Sequence, residues 1–344
     1  MTINDIAQLA GVAKSTVSRY LNGGSVSRKT REKLDEIVRE TGYSPNTFAQ
    51  SLKAKRTNIV GTIIPRLDSY SSNEILEGID QELWQRQLQL IITNSDQNVA
   101  REIENIYALA RQKADAIILF GGVITNDHLK AIHEVNIPVV ILGQETPDVH
   151  CLVHDEAHAG ITMGRHITSL GHQKILLLRV KKEDRAIGQL RRAAIIEGLS
   201  QKASVEVEEQ EVSFVFEEAY QQAKLILPKT KATAIICVTD TIALAVMKAA
   251  HELSYVIPND FSLAGFGGYN ATTIVSPAIT TVRYPYRELG KKAVTTVLQL
   301  LNAEDGPMKQ IMKNELILRE STQKITLSLI EGEIFLVNRR QRKN

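Results

Sequence analysis

The chain has 344 residues, 43% apolar and 23% charged, a balance that sets aside a disordered chain and allows a small head with one or two large lobes. No apolar run is long enough to span a bilayer, and the chain opens on a polar helix pattern rather than a secretory signal, so a cytoplasmic protein without membrane partners is expected. The net charge of +2 is uneven: residues 1–58 hold ten Lys/Arg against five Asp/Glu, residues 59–330 hold 27 against 32, and residues 331–344 hold four against two, which puts the attraction for a polyanion at one end.

In chain order, Ile6, Leu9 and Ala10 fall at i, i+3 and i+4, the inner face of a first short helix. Gly11 supplies a sharp turn. Val17 and Leu21 are the inward positions of a second helix, which leaves Lys14, Ser15, Thr16, Ser18 and Arg19 outward. Small polar and basic side chains on a short helix suit a major groove, although the same spacing fits a packed helical hairpin. Ser27 caps a third helix with Leu34, Ile37 and Val38 inward, and Gly42 stops it. From Ile59 the pattern changes to apolar strands at 59–64, 90–92, 116–120, 139–142, 175–178, 234–238 and 262–266. Helical patterns lie between and after them, near 72–87, 99–112, 126–135, 157–170, 188–201, 217–227, 241–254 and 286–302. Continuous apolar runs mean parallel strands covered on both faces, hence an α/β core of two doubly wound lobes with a cleft at the strand carboxyl ends. Cys151 and Cys237 sit singly in apolar runs and read as buried free thiols. Residues 325–337 alternate around Glu331-Gly332, which predicts a hairpin, and the basic end 339–343 follows.

The head, followed by Tyr43-Ser44-Pro45-Asn46-Thr47-Phe48-Ala49-Gln50-Ser51-Leu52, resembles the lactose-repressor/galactose-repressor family of bacterial transcriptional regulators, whose head ends in P-N-x-x-A-x-x-L. The resemblance runs in register to about residue 322, through Leu170-Gly171-His172, Arg191-Arg192-Ala193-Ala194, Thr239-Asp240-Thr241 and Glu315 to Thr322. It implies a helix-turn-helix head over 1–45, a hinge helix and linker over 46–58, and a periplasmic-binding-protein-like core over 59–330. Lobe 1 would be about 59–158 and 286–312, lobe 2 about 159–285 and 313–330, with an extra tail at 331–344. It further implies a homodimer at the nucleoid on double-stranded operator DNA. Lys14 and Ser15 then face base edges, Arg19 pairs with a guanine edge or with phosphate, and Ser18 lies on the same helix face. Asn22, Thr16, Ser27, Thr30 and Arg31 face phosphates, which position without specifying. Ala13 departs from the family's usual Ser cap, a loss on the order of 1 kcal/mol. In the hinge, Asn46 is the cap, and Ala49 belongs to the motif. Leu52 matches a minor-groove wedge, with packing in its own domain as the other reading. Lys53, Lys55 and Arg56 suit phosphates.

In the core the resemblance implies a small sugar or purine effector, carried over to Ser69, Tyr70, Ser71, Phe120, His154, Arg191, Phe216, Asp240 and Tyr284. Aromatic faces suit a sugar ring, Arg191 can donate a bidentate pair, and Asp240 either accepts from hydroxyls or caps a helix. Where the family often carries aspartates this chain has Gly267-Gly268-Tyr269, which implies a roomier loop without a carboxylate. Pro65 to Tyr70 together with Gly265 to Tyr269 look like Gram-positive sucrose-operon repressors, with trehalose repressors second. Arg66, Arg185, Arg191 and Arg283 leave a sugar phosphate open. The expected function is repression of a carbohydrate-utilisation operon, relieved by that sugar, with no cofactor. A sugar-processing enzyme would need a nucleophile elbow, P-loop or metal spacing that the sequence lacks. A transport-type sugar-binding protein would fit the core but not the basic head.

Overall fold

Two six-stranded sheets with matching strand order organise the chain from Ile59 onward. The computed structural model describes residues 1–21, 23–43, 56–201 and 204–325, and the backbone of 327–330 and 333–336. Asn22, Asn46, Ala49, Leu52 and Lys53 lie outside the described residues.

The head has three helices, α1 (Ile3–Ala10), α2 (Lys14–Leu21) and α3 (Arg28–Thr41). Thr2 and Asp5 cap α1 reciprocally, and Gly11 follows it at φ 62, a left-handed turn that glycine adopts without strain. Ile6, Ala7, Ala10, Val17 and Leu34 form the buried centre. Leu9 is a correction, being 55% exposed. The inward direction of α1 is set by Ile6, Ala7 and Ala10 together, and Leu9 stands about 110° from their mean on a helix of 3.6 residues per turn.

The first sheet is built from β1 (Ile59–Ile64), β2 (Gln89–Asn94), β3 (Ala116–Phe120), β4 (Val139–Leu142), β5 (Cys151–His154) and a late strand, β11 (Lys309–Met312). Its order is β11-β5-β4-β3-β1-β2, all parallel. Helices α4 (Tyr70–Gln85), α5 (Val99–Arg111) and α6 (Asn126–Glu134) connect its strands. The chain crosses to the second lobe through α7 (Glu156–Ser169). There β6 (Lys174–Arg179), β7 (Glu206–Glu211), β8 (Ala234–Cys237), β9 (Ser262–Gly267), β10 (Thr280–Arg283) and β12 (Glu315–Ile317) form the order β12-β10-β9-β8-β6-β7, with only the β10–β12 pair antiparallel. A π-helical segment Arg185–Arg191 leads into α8 (Arg192–Leu199), and α9 (Phe216–Ile226), α10 (Asp240–Glu252) and the short α11 (Ala271–Ile274) follow. The chain returns through α12 (Tyr286–Leu301), which packs into the first lobe, and crosses a third time between β11 and β12. Strands β13 (Leu327–Ile330) and β14 (Glu333–Leu336) make the expected antiparallel hairpin, separate from both sheets. The limit drawn at residue 330 therefore falls inside that hairpin. No helix among the described residues is long and apolar enough to cross a membrane.

Within each sheet the first five strands run 2-1-3-4-5, so the order reverses between β1 and β3 and again between β6 and β8. Crevices open at the carboxyl ends of strands at such reversals. The central strands are buried on both faces, which is why they read as apolar runs. Helices α4 and α12 meet backbone to backbone. A methyl on Gly78 would stand 2.1 Å from the Arg287 carbonyl oxygen, and one on Gly290 2.2 Å from that of Ile75. Gly78→Ala and Gly290→Ala should each destabilise by about 1–3 kcal/mol through overpacking, beyond the roughly 1 kcal/mol that alanine gains in a helix. Urea unfolding would read this as a lower midpoint at unchanged slope, and equal midpoints would mean the two helices part freely.

Candidate functional site

Two surfaces carry candidate chemistry. On the head, Lys14, Ser15 and Arg19 are exposed, while Thr16 and Ser18 are half-buried along α2. Ala13 offers no side-chain cap, and its carbonyl receives the amides of Thr16 (2.9 Å) and Val17 (3.3 Å). Ser27 caps α3 and bonds Thr30 Oγ1 at 2.7 Å, so both hydroxyls are already engaged. Arg31 donates to the Gly24 carbonyl (3.2 Å) and lies over the Tyr20 ring, which fixes the turn after α2. The head thus presents a short basic helix edge on a packed base.

The second surface is the crevice between lobes, where the strand reversals face each other. Five rings from both lobes form a continuous cluster. Tyr70 lies on Tyr269 (centroids 4.2 Å), Tyr269 nears Tyr286 (6.4 Å), Tyr286 contacts Tyr284 (5.8 Å) and His154 (5.4 Å), and His154 contacts Tyr284 (4.6 Å). Ser69 caps α4 and bonds Ser71 Oγ at 3.2 Å. Tyr70 accepts across the crevice from the Asn270 amide at 3.3 Å. His154 Nδ1 and Arg66 Nη1 are buried without a hydrogen-bond partner, which is costly unless something polar reaches them.

Arg191 and Asp240 are in this crevice, in roles other than those expected. Arg191 is buried and donates through Nε and Nη2 to both oxygens of Glu156 (2.6 and 2.7 Å), and through Nη1 to the Val238 carbonyl (2.7 Å). Its face rests on Tyr284 and Phe266. Burial opposes its charge, yet the Glu156 carboxylate outweighs burial and holds its pKa above the ordinary value. The bidentate pair is therefore spent on Glu156 rather than free for a ligand. The Tyr284 hydroxyl donates to the same carboxylate at 2.9 Å. Asp240 does not cap α10, because Thr239 does. Its carboxylate accepts from the Tyr269 amide (2.8 Å) and the Thr281 hydroxyl (2.7 Å).

The loop it holds is not roomier. Gly267 at φ 146 and Gly268 at φ 71 allow the Tyr269 ring to fold back, so that a methyl on Gly267 would lie 2.4 Å from it. Two other expectations are corrected. Phe120 is 6% exposed and packs into the first lobe's core. Phe216 is half-exposed beneath the Lys248 ammonium, in a groove with Leu244, Met247 and Val275 outside the ring cluster. Glu156, Tyr269 and Tyr286 were missed as site residues. Glu156 reads in sequence as a first-turn acid, and nothing local ties it to an arginine 35 residues on.

Comparison with known proteins follows the same division. Residues 2–46 match the family described as bacterial regulatory proteins, lacI family, and residues 165–322 match a periplasmic binding protein-like domain. The chain is 39% identical over 307 residues to a sucrose operon repressor of Staphylococcus xylosus, covering 87% of this chain and 93% of that one. It is 28% identical to the HTH-type transcriptional regulator TreR of Salmonella typhimurium over 92% of this chain and 98% of that one. Among solved structures, the lac repressor dimer bound to operator and the anti-inducer ONPF aligns with a TM-score of 0.86 at 25% identity, over 94% of this chain and 99% of that one.

Titration in and below the crevice has a definite sign. Burial pushes His154 down to about 4. It does the same to His172, which is 2% exposed and bonded to Thr233, Ser262 and Gln323. Burial raises Asp240 to about 6 against its hydrogen bonds. Each histidine takes up its proton first in the unfolded chain, so stability falls as pH drops from about 6.5 to 4. Asp240 protonates first in the folded chain, so it adds stability as pH drops from about 6 to 4. At about 1.4 kcal/mol per unit, two histidines outweigh one carboxyl. The urea midpoint should fall between pH 6.5 and 4.5, His172→Gln should flatten that fall and Asp240→Asn should steepen it. An unchanged slope for His172→Gln would show that His172 titrates alike in both states.

Proposed function

The chain belongs to the LacI family of bacterial transcriptional repressors, and from that premise we propose that it represses a carbohydrate-utilisation operon and is released by sucrose or a related fructoside. The observation that carries the effector class is the neutralised, ring-lined crevice. Five rings offer flat faces to the apolar side of a sugar, and His154 Nδ1 and Arg66 Nη1 are buried polar atoms that hydroxyls can satisfy. Three of the four arginines that left a phosphate open already have a carboxylate partner: Arg191 with Glu156, Arg283 with Glu315 and Arg66, through Nε alone, with Asp68. The open Arg66 Nη1 is then a donor on a charge already balanced, which suits a neutral sugar better than a phosphate. The similarity to a sucrose operon repressor supports the same reading, and the lower identity to TreR keeps trehalose second.

On DNA, the reading is a homodimer on a pseudo-palindromic operator. Lys14, Ser15 and Arg19 read bases, neighbouring side chains of the head meet phosphates, and Leu52 wedges into the minor groove. The effector can weaken operator binding only by preferring one lobe arrangement, and the usual coupling is about 1–3 kcal/mol, roughly 5- to 150-fold.

Calorimetry with sucrose, trehalose and sucrose 6-phosphate, followed by operator titration with each, tests the proposal. Sucrose should bind tightest and raise the operator Kd. Preference for the phosphate would overturn the neutral-sugar reading, and tighter operator binding with sugar would make the protein corepressed. Arg191→Ala is a poor probe, because it strands a buried carboxylate at about 3–5 kcal/mol.

Lys14→Ala should weaken operator binding and relax specificity at one base pair, about 1–3 kcal/mol, if it reads a base. A uniform loss over all sequences, with a shallower salt dependence, would reassign it to phosphate. Leu52→Ala should reduce the operator bend while leaving nonspecific binding nearly intact. Equal bending by both proteins in a gel-phasing assay would make Leu52 a packing residue.

A further inference from the structure

The segment between head and first lobe is fastened at two places on two different elements. Asp115, in the turn before β3, accepts from the amides of Thr57 (2.8 Å) and Asn58 (2.7 Å) and from the Thr57 hydroxyl (3.0 Å). One residue upstream, Arg56 reaches the far end of α12. Its Nη2 donates to the carbonyl of Leu301, the last helical residue, and to Asn302 Oδ1 at 3.2 Å. A guanidinium is well suited there, because the last carbonyls of a helix lack intrahelical partners and carry the negative end of its dipole. Arg56, which the sequence reading gave to phosphate, is thus engaged with the protein.

The other end of α12 lies in the crevice. Its first residue, Tyr286, belongs to the ring cluster. Sixteen helical residues span about 24 Å. Helix α4 also begins in the crevice, at Tyr70 and Ser71, and is locked to α12 at Gly78 and Gly290, where the backbones touch with no side chain to yield between them. A displacement imposed at both helix starts is therefore delivered at the α12 carboxyl end, where Arg56 is fastened.

We propose that Arg56 is a positioning residue that couples effector binding to DNA binding, with the α4–α12 pair as a lever and Asp115 as the pivot about which the linker turns. The proposal rests on the effector reading of the crevice. Coupling requires an element that both sites bias, and the docked linker is that element.

The test uses the full-length protein and its operator, with saturating sucrose as the probe. Operator Kd is measured with and without sucrose for wild type, Arg56→Ala, Arg56→Lys and Asn302→Ala. Arg56→Ala should shrink the sucrose-induced change in Kd at least threefold while calorimetric sucrose affinity stays within twofold. Arg56→Lys should restore part of the response. Asn302→Ala should shrink it in the same direction, although Asn302 has no part in reading DNA. If Arg56→Ala weakens operator binding equally with and without sucrose and lowers the salt slope by about one, Arg56 is a phosphate contact and the proposal falls. A response equal to wild type also overturns it. If sucrose leaves the wild type unmoved, the effector assignment has failed. The lever is then read from sugar-free operator Kd in a cycle of Arg56→Ala with Tyr286→Leu. Non-additive effects support it, and additive ones or none overturn it.

Discussion

A buried ion pair sits where the chain first passes from one lobe to the other, and the crevice is arranged around it. Glu156 opens α7 directly after β5, and Arg191 ends the π-helical segment that precedes α8. Either charge alone at this depth would cost several kcal/mol. Together they cancel, and the remaining valences go to the Tyr284 hydroxyl and the Val238 carbonyl. One pair thereby fixes the first crossover, the approach to the second crossover and the end of β8. A π-helical turn is an uncommon way to enter a helix and often marks functional sites. Here it ends on Arg191, whose guanidinium meets the carboxylate with both Nε and Nη2.

The same economy of charge governs the loop after β9. Asp240 is fully buried and spends its oxygens on the Tyr269 amide and Thr281, with Thr239 as the separate helix cap. Two glycines with positive φ turn the loop back so that the Tyr269 ring faces Tyr70 of the opposite lobe. The lobes are therefore joined by three chain crossings and by a few polar and aromatic contacts across the crevice. Such a contact set can be exchanged for contacts to a ligand. The glycine-tight α4–α12 packing cannot yield in that way, so the compliant part of the core is the crevice and the stiff part is the first lobe's helical face.

Much of the fold was legible because parallel sheets leave a strong trace. Strands β1, β3, β4, β8 and β9 are covered on both faces and read as unbroken apolar runs. Strand β7, Glu206–Glu211, left no such trace because it is an edge strand with charged, largely exposed side chains held by Arg179 and Arg192. Its charges also suit an edge that must not pair with another chain. Strands β10, β11 and β12 are short and lack a long apolar run, and β11 and β12 find their sheets only after a lobe crossing.

The sequence by itself determined the head, the alternation of strands and helices, and the placing of Tyr70, His154, Arg191, Asp240 and Tyr284 near one crevice. Those follow from periodicity, from turn residues and from a resemblance carried by local motifs. Only the tertiary structure decided what those residues do. Whether Arg191 is free or paired depends on Glu156, 35 residues away, and whether Arg56 faces phosphate or protein depends on Leu301 and Asn302, more than 240 residues away. A charge is defined by its nearest partner, and here the partners are set by strand order and crossovers that no local pattern encodes.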